Sequence, residues 1–194
     1  MAAARELFLK SGFDRVTARE IAAAAGTTPA MIHYYFDNKL GLFRAMLQEV
    51  IAPVGRMLGA AAGDSSAGSM DLAALMSMHI RTVAKHPWVA TLIVNEVLAE
   101  GGKFRATFVR EIAGQFVPLL VRLIEQGCQS GQLRRDLDPQ LTALSILSLN
   151  LFPLISRPVS GAVLDFGLEG AQLDRLIEHT TRVLLEGIGG RGAQ

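Results

Sequence analysis

The sequence predicts an all-α fold, and three observations carry that expectation. Every long segment repeats its apolar residues with a helical period. No stretch alternates β-branched residues between turn signals. Prolines stand where helices can begin, at Pro29, Pro87 and Pro139, positions that need no backbone N–H. With 194 residues, 50% of them hydrophobic, the chain can bury one sizeable core or pack a small domain on a larger one. The expected architecture is about nine helices: a three-helix N-terminal domain over residues 1–45 and a larger helical body over 46–194.

The first helix is predicted over about 2–11, with Leu7 and Phe8 inward and Gly12 as its stop. The second opens on Thr17-Ala18-Arg19-Glu20, a capping box in which Thr17 and Glu20 satisfy each other's backbone donors, and it ends at Gly26. Thr28 and then Pro29 start a short third helix that ends near Phe36. Asn38 caps a fourth, which carries Leu42, Phe43, Met46, Leu47, Val50 and Ile51 and passes Pro53 to about Leu58. The stretch "GAAAGDSSAGS", 59–69, has the composition of a flexible connection. Further helices are predicted at about 70–85, 87–100, 103–130, 139–156 and 171–187. Asp138 is the expected cap before Pro139, Pro118 should kink the long helix that contains it, and the tail "GGRGAQ" should be disordered.

Two short helices joined at a glycine turn form a helix-turn-helix, whose second helix can lie in the DNA major groove. At 100° per residue, Pro29, Ile32, Tyr35 and Phe36 fall on an inward face, and Ala30, Met31, His33 and Tyr34 on an outward one. Small, thioether, imidazole and phenol groups on that outward face suit base edges and phosphates. Charge is a weak guide. The chain carries +1, and the first 44 residues set Arg5, Lys10, Arg15, Arg19, Lys39 and Arg44 against Glu6, Asp14, Glu20 and Asp37. Lys39 opposes the macrodipole at the start of its helix. It is either an ordinary exposed lysine or part of a phosphate site formed with the helix N-terminal amides.

These residues carry a resemblance. "ELFLKSGFDRVTAREIAAAAGTTPAMIHYYFDNKLGLFRAML", 6–47, resembles the DNA-binding domain of the TetR family of bacterial regulators through Phe8, Gly12-Phe13, Thr17, Ile21-Ala22, Gly26 and Phe36 with Lys39. "KHPWVATLIVNE" and "GQLRRDLDP" look like parts of some members' regulatory domains. Two departures stand out. His33, with Tyr34 beside it, occupies the place of the family's usual tyrosine, and the chain begins inside the helix 1 pattern, without the upstream turn and basic arm. A shortened start of that kind would remove phosphate contacts.

The resemblance implies a ligand-responsive transcriptional repressor, released from a palindromic operator by a small molecule. Thr17 and Arg19 would meet phosphate, as would Thr28 and Lys39, while Ala30, Met31, His33 and Tyr34 would face the groove. Substitution of Lys39 should then lower affinity for all sequences and flatten its salt dependence. The resemblance further implies a homodimer built from the last two long helices. Its stripes would be Leu144, Leu147, Leu151 and Leu154 on one helix, and Leu173, Leu176, Ile177, Val183 and Leu184 on the other; buried core within one subunit explains the same stripes nearly as well. A dimer would set two recognition helices about 34 Å apart on one face of DNA. Met76, His79, Trp88, Asn95 and Phe108 are candidates to line a pocket for a mostly apolar effector, though residues of these types at helical spacing are also ordinary core.

No cofactor and no catalytic or metal site is expected. His33, His79, His86 and His179 lack ligand spacing. "GIGGRG" follows a helix and ends the chain instead of joining a strand to a helix, and no nucleophile has a glycine-framed elbow. Cys128, the single cysteine, fits a reducing cytoplasm. No signal peptide is visible, and the longest apolar run, 141–156, is broken by polar residues and short of the roughly 20 a bilayer span requires, so no membrane partner is expected. The alternative is an all-α module that uses its helix-turn-helix on another protein.

Overall fold

A computed structural model describes residues 1–63, 71–102 and 104–189. Its described residues form helices and connecting turns, with one isolated bridge between Leu133 and Gly189. The N-terminal three are α1 (Ala2–Ser11), α2 (Ala18–Ala24) and α3 (Pro29–Phe36). They are followed by α4 (Lys39–Gly63), α5 (Leu72–Lys85) and α6 (Pro87–Leu92). Helix α4 runs through Pro53 to Gly63. The expected 59–69 connection is therefore helical at its start, and its remainder from residue 64 lies outside the described residues. Asp71 caps α5 by accepting from the Ala74 amide at 2.8 Å.

The body departs from two predicted continuous helices. The expected 87–100 helix is α6 continued by a π-helical turn at Ile93–Leu98. The expected 103–130 helix, whose first residue lies outside the described set, is α7 (Arg105–Phe108), a second π turn at Val109–Ala113, and α8 (Gly114–Ser130). Pro118 sits inside α8 and cannot donate to the Gly114 carbonyl. A wider π turn stands just before α8, at Val109–Ala113. Next come α9 (Pro139–Ile155), α10 (Arg157–Leu164) and α11 (Gly170–Ile188). Asp138 caps α9, accepting from the Gln140 and Leu141 amides at 2.8 and 3.0 Å. Helix α10 is unexpected: it is short, contains Gly161 and buries no residue, so its sequence carries no stripe to read. The expected disordered tail lies outside the described residues beyond Gly189.

Two larger apolar cores, with a smaller cluster of Ile80, Leu173 and Ile177 between α5 and α11, hold these helices among the described residues. One surrounds α4, α5, α8, α9 and α11 with Leu75, Met76, Leu123, Ile124, Ile146 and Leu184. The other crosses the expected 45/46 boundary, joining Val16, Ile32 and Phe43 to Trp88, Val97 and Phe104. Phe43 is fully buried, with ring centroids 5.9 Å from Phe8, 5.3 Å from Phe13 and 4.2 Å from Phe104. Phe13 meets Phe104 edge-on at 4.4 Å. A ring from the body thus completes the interior of the N-terminal domain.

Candidate nucleic-acid interface

The two short helices are held by local chemistry that the sequence announces. At the start of α2, the Thr17 amide and hydroxyl donate to Glu20 Oε2 at 2.7 and 2.8 Å, and the Glu20 amide donates back to the Thr17 hydroxyl at 3.2 Å. Hydrogen bonds from the Thr17 backbone and then its hydroxyl hold the Glu20 carboxyl below its ordinary range. At the other end, Thr27 N–H donates to Ala22 O and Gly26 N–H to Ala23 O, with Gly26 at φ 64°. This is the Schellman pattern, and its left-handed residue is why a glycine ends α2. The Thr28 hydroxyl accepts from the Met31 amide at 3.4 Å. Thr17 and Thr28 therefore cap helices while remaining exposed, as is Arg19.

Helix α3 is fastened through few residues. Ile32 is its only buried side chain and Phe36 is half-buried; Pro29, Ala30, Met31 and His33 are exposed. Tyr34 is 79% exposed, and Tyr35, expected inward, is 64% exposed. Tyr35 lies about 60° around the helix from Ile32, and a helix this short leaves that flank uncovered. The two tyrosine rings pack edge-on with centroids 5.1 Å apart, forming one outward pair. His33 has a structural task that the sequence reading missed: its Nδ1 hydrogen-bonds the Asp37 carbonyl at the end of α3. A carbonyl only accepts, so Nδ1 carries the proton and Nε2 remains for an outside partner. Asn38 Oδ1 then caps α4 by accepting from the Gly41 amide at 2.9 Å. A side chain at Gly41 would strike the Phe36 carbonyl, so glycine is what lets α4 abut α3.

Lys39 also has partners inside the domain. Its ammonium donates to the Phe13 carbonyl at 2.8 Å and the Val16 carbonyl at 2.7 Å, and it stands 4.1 Å from the Phe13 ring centroid. The lysine pins the α1–α2 connection to the start of α4. Its unfavourable position on the helix dipole is offset by two charge-assisted hydrogen bonds and a cation–π contact.

In the body, the five effector candidates do not converge. Met76 is fully buried in the α4–α5–α8 core. His79 faces buried Asn150, whose Nδ2 donates to His79 Nδ1 at 3.3 Å. Trp88 and Asn95 line one cleft of about 60 Å³, and Phe108 another of about 10 Å³. The wider hollows, about 780 and 470 Å³, are open troughs lined by none of the five. The reason is that α5 and α6 bury their apolar faces directly against neighbouring helices.

Desolvation pushes His79 down to about 4 from an ordinary 6.5. The folded state therefore binds fewer protons than the unfolded chain between those values, and stability should fall as pH drops from about 6.5 to 4. Denaturant midpoints over that range should lose much of this slope in His79→Gln; an unchanged slope would assign it to other groups.

The dimer stripes divide as well. Leu154, Leu173, Ile177 and Leu184 are buried within the chain, and Leu147, Leu151 and Leu176 are half-buried, whereas Leu144 and Val183 remain exposed. The exposed stripe of α9 is Leu141, Leu144, Ser145, Ser148 and Phe152. The Ser145 and Ser148 hydroxyls donate back to the Leu141 and Leu144 carbonyls at 3.0 and 2.8 Å, which leaves this face effectively apolar.

Fold and site thus define a helix-turn-helix DNA-binding protein with a helical body. The model of the TetR family of bacterial regulatory proteins matches residues 1–46, and that of the tetracyclin repressor-like C-terminal domain matches residues 69–184. The chain belongs to the TetR family of transcriptional regulators. It is 28% identical over 151 residues to the transcriptional repressor NicS of Pseudomonas putida, covering 77% of this chain and 71% of that protein. To the repressor KstR2 of Rhodococcus jostii it is 29% identical over 143 residues, 71% and 68% of the two chains. FadR of Bacillus subtilis, solved with stearoyl-CoA, shares the fold with a TM-score of 0.67 at 20% identity, over 96% of both chains. No single helix among the described residues is long and apolar enough to cross a membrane.

Proposed function

We propose that the chain is a homodimeric repressor that reads a near-palindromic operator with α3 and leaves it when a small, mostly apolar molecule binds the body. The observation that carries this reading is the outward row Met31, His33, Tyr34 and Tyr35 on a two-turn helix anchored behind by Ile32. Met31, Tyr34 and Tyr35 so exposed contribute little to the fold, His33 keeps Nε2 free of its contact with Asp37, and these residue types suit base edges, sugar and phosphate. Thr17, Arg19 and Thr28 flank that row at helix N-termini, where backbone amides favour phosphate. The apolar stripe of α9, with Val183 on α11, supports pairing of two copies, which would place their recognition helices one turn of DNA apart. Two relatives named as repressors support the direction of control.

The test is selection of bound sequences from random duplex DNA, followed by gel shifts over a salt series. A palindromic site should emerge, and Tyr34→Ala with Tyr35→Ala should weaken its binding by about tenfold or more. Lys39→Met should weaken binding of all sequences while leaving the salt slope unchanged, because its ammonium acts within the domain. A slope reduced by about one unit would restore Lys39 as a phosphate ligand. Failure to retain any duplex at low salt would overturn the DNA reading in favour of a protein partner.

A further inference from the structure

The cleft of about 60 Å³ lies where the N-terminal domain meets the body, between α1 and α6. Arg5, Phe8 and Gly12 line it from one side, and Trp88, Asn95 and Glu96 from the other. Its donors outnumber its acceptors. Trp88 is 4% exposed, and its indole Nε1 has no hydrogen-bond partner. Arg5 lays its guanidinium over the Trp88 ring, 5.7 Å from the centroid, and its Nε is likewise buried without a partner. Arg5 forms no ion pair among the described residues. Buried donors in native proteins are nearly always matched, so the indole N–H and the guanidinium Nε–H in one cleft point to an acceptor from outside the chain.

The charges narrow its class. Glu96 lines the Gly12 end of the cleft, and its Oε1 accepts from the Phe13 amide at 3.4 Å, so the site balances one cation with one anion. A dianion such as phosphate would meet that carboxylate with a net repulsion. A monoanion leaves the cleft only singly negative, and a planar carboxylate matches the fork of a guanidinium. Phe8, Leu9 and Leu92 supply an apolar lining for a short carbon chain.

We propose that this cleft binds a small carboxylic acid, or the acid end of a longer one, with its oxygens on Arg5 and its carbon chain against Phe8 and Leu92. Arg5 and Phe8 belong to the domain that carries the recognition helix, whereas Trp88 and Asn95 belong to the body. A ligand seated between them changes how the two are held, and by linkage operator binding changes ligand affinity by the same factor. This regulatory step rests on the operator reading above; occupancy of the cleft does not.

Trp88 is the only tryptophan and so reports its own site. Titration of the full chain with n-butyrate should give a saturable change in its fluorescence, and n-butyramide at the same concentrations should not. Arg5→Met, which keeps the length of the side chain without its charge, should weaken butyrate binding by about tenfold or more. No saturable change with butyrate, an equal response to butyramide, or unaltered binding in Arg5→Met would each overturn the proposal. If Arg5→Met does not fold, the butyrate and butyramide titrations of the unsubstituted chain decide it alone. A selected operator that binds beside a silent butyrate titration would sink the cleft and leave the operator reading intact. Butyrate binding by a chain that retains no DNA would do the reverse.

Discussion

Replacing Phe43 by alanine is expected to lower the free energy of unfolding by about 3–5 kcal/mol. The ring is fully buried and lies among Phe8, Phe13 and Phe104, so its removal leaves a cavity that no neighbour can fill without moving a helix. Phe104 comes from the body, and the effect should therefore not be confined to the N-terminal domain. Denaturant unfolding followed by Trp88 fluorescence and by helical circular dichroism should give coincident transitions in both wild type and variant. A loss below about 1 kcal/mol, or a separate early transition of the N-terminal helices, would mean that the shared core is weaker than its packing implies.

The second large effect concerns assembly. Leu144 and Phe152 are 60% and 66% exposed on one stripe of α9, so charging both should cost the isolated subunit little. The double variant Leu144→Glu, Phe152→Glu should scatter light as the 20.8 kDa single chain at concentrations where the wild type is a dimer. It should also bind a palindromic operator about a hundredfold more weakly, because each half-site is then engaged without the effective concentration that linkage supplies. A wild type that is itself monomeric, or a double variant that stays dimeric, would remove this face as the interface.

How much could be read in advance differs by kind of interaction. Contacts within a few residues were legible: the Thr17–Glu20 box, the Gly26 stop, Pro29 and the caps Asn38 and Asp138 all stand where the sequence places them. These are local hydrogen-bonding problems with few solutions. Partners across the chain were not legible. The Lys39 ammonium finds carbonyls 23 and 26 residues away, and no one-dimensional pattern marks which carbonyls a turn presents to a distant side chain. Tyr35 was misplaced because a helical wheel ranks angles without knowing which neighbour covers them. The stripes of α9 and α11 are apolar in the sequence, but periodicity cannot divide an apolar residue between its own core and a second copy. The π turns escaped for a similar reason, since one extra residue per turn leaves the composition of a helix unchanged.

The continuity of α4 across the expected 45/46 boundary has a practical meaning for anyone who would exchange reading heads between regulators. A chimera joined at that point keeps an unbroken helix and yet severs a shared interior, because Phe43 on one side of the junction is closed by Phe104 on the other. A working graft would have to transplant Phe104 and Trp88 with the head, or choose a recipient already shaped to receive it. The transferable part of this protein is a folded interface drawn from distant stretches of sequence, and no single cut can isolate it.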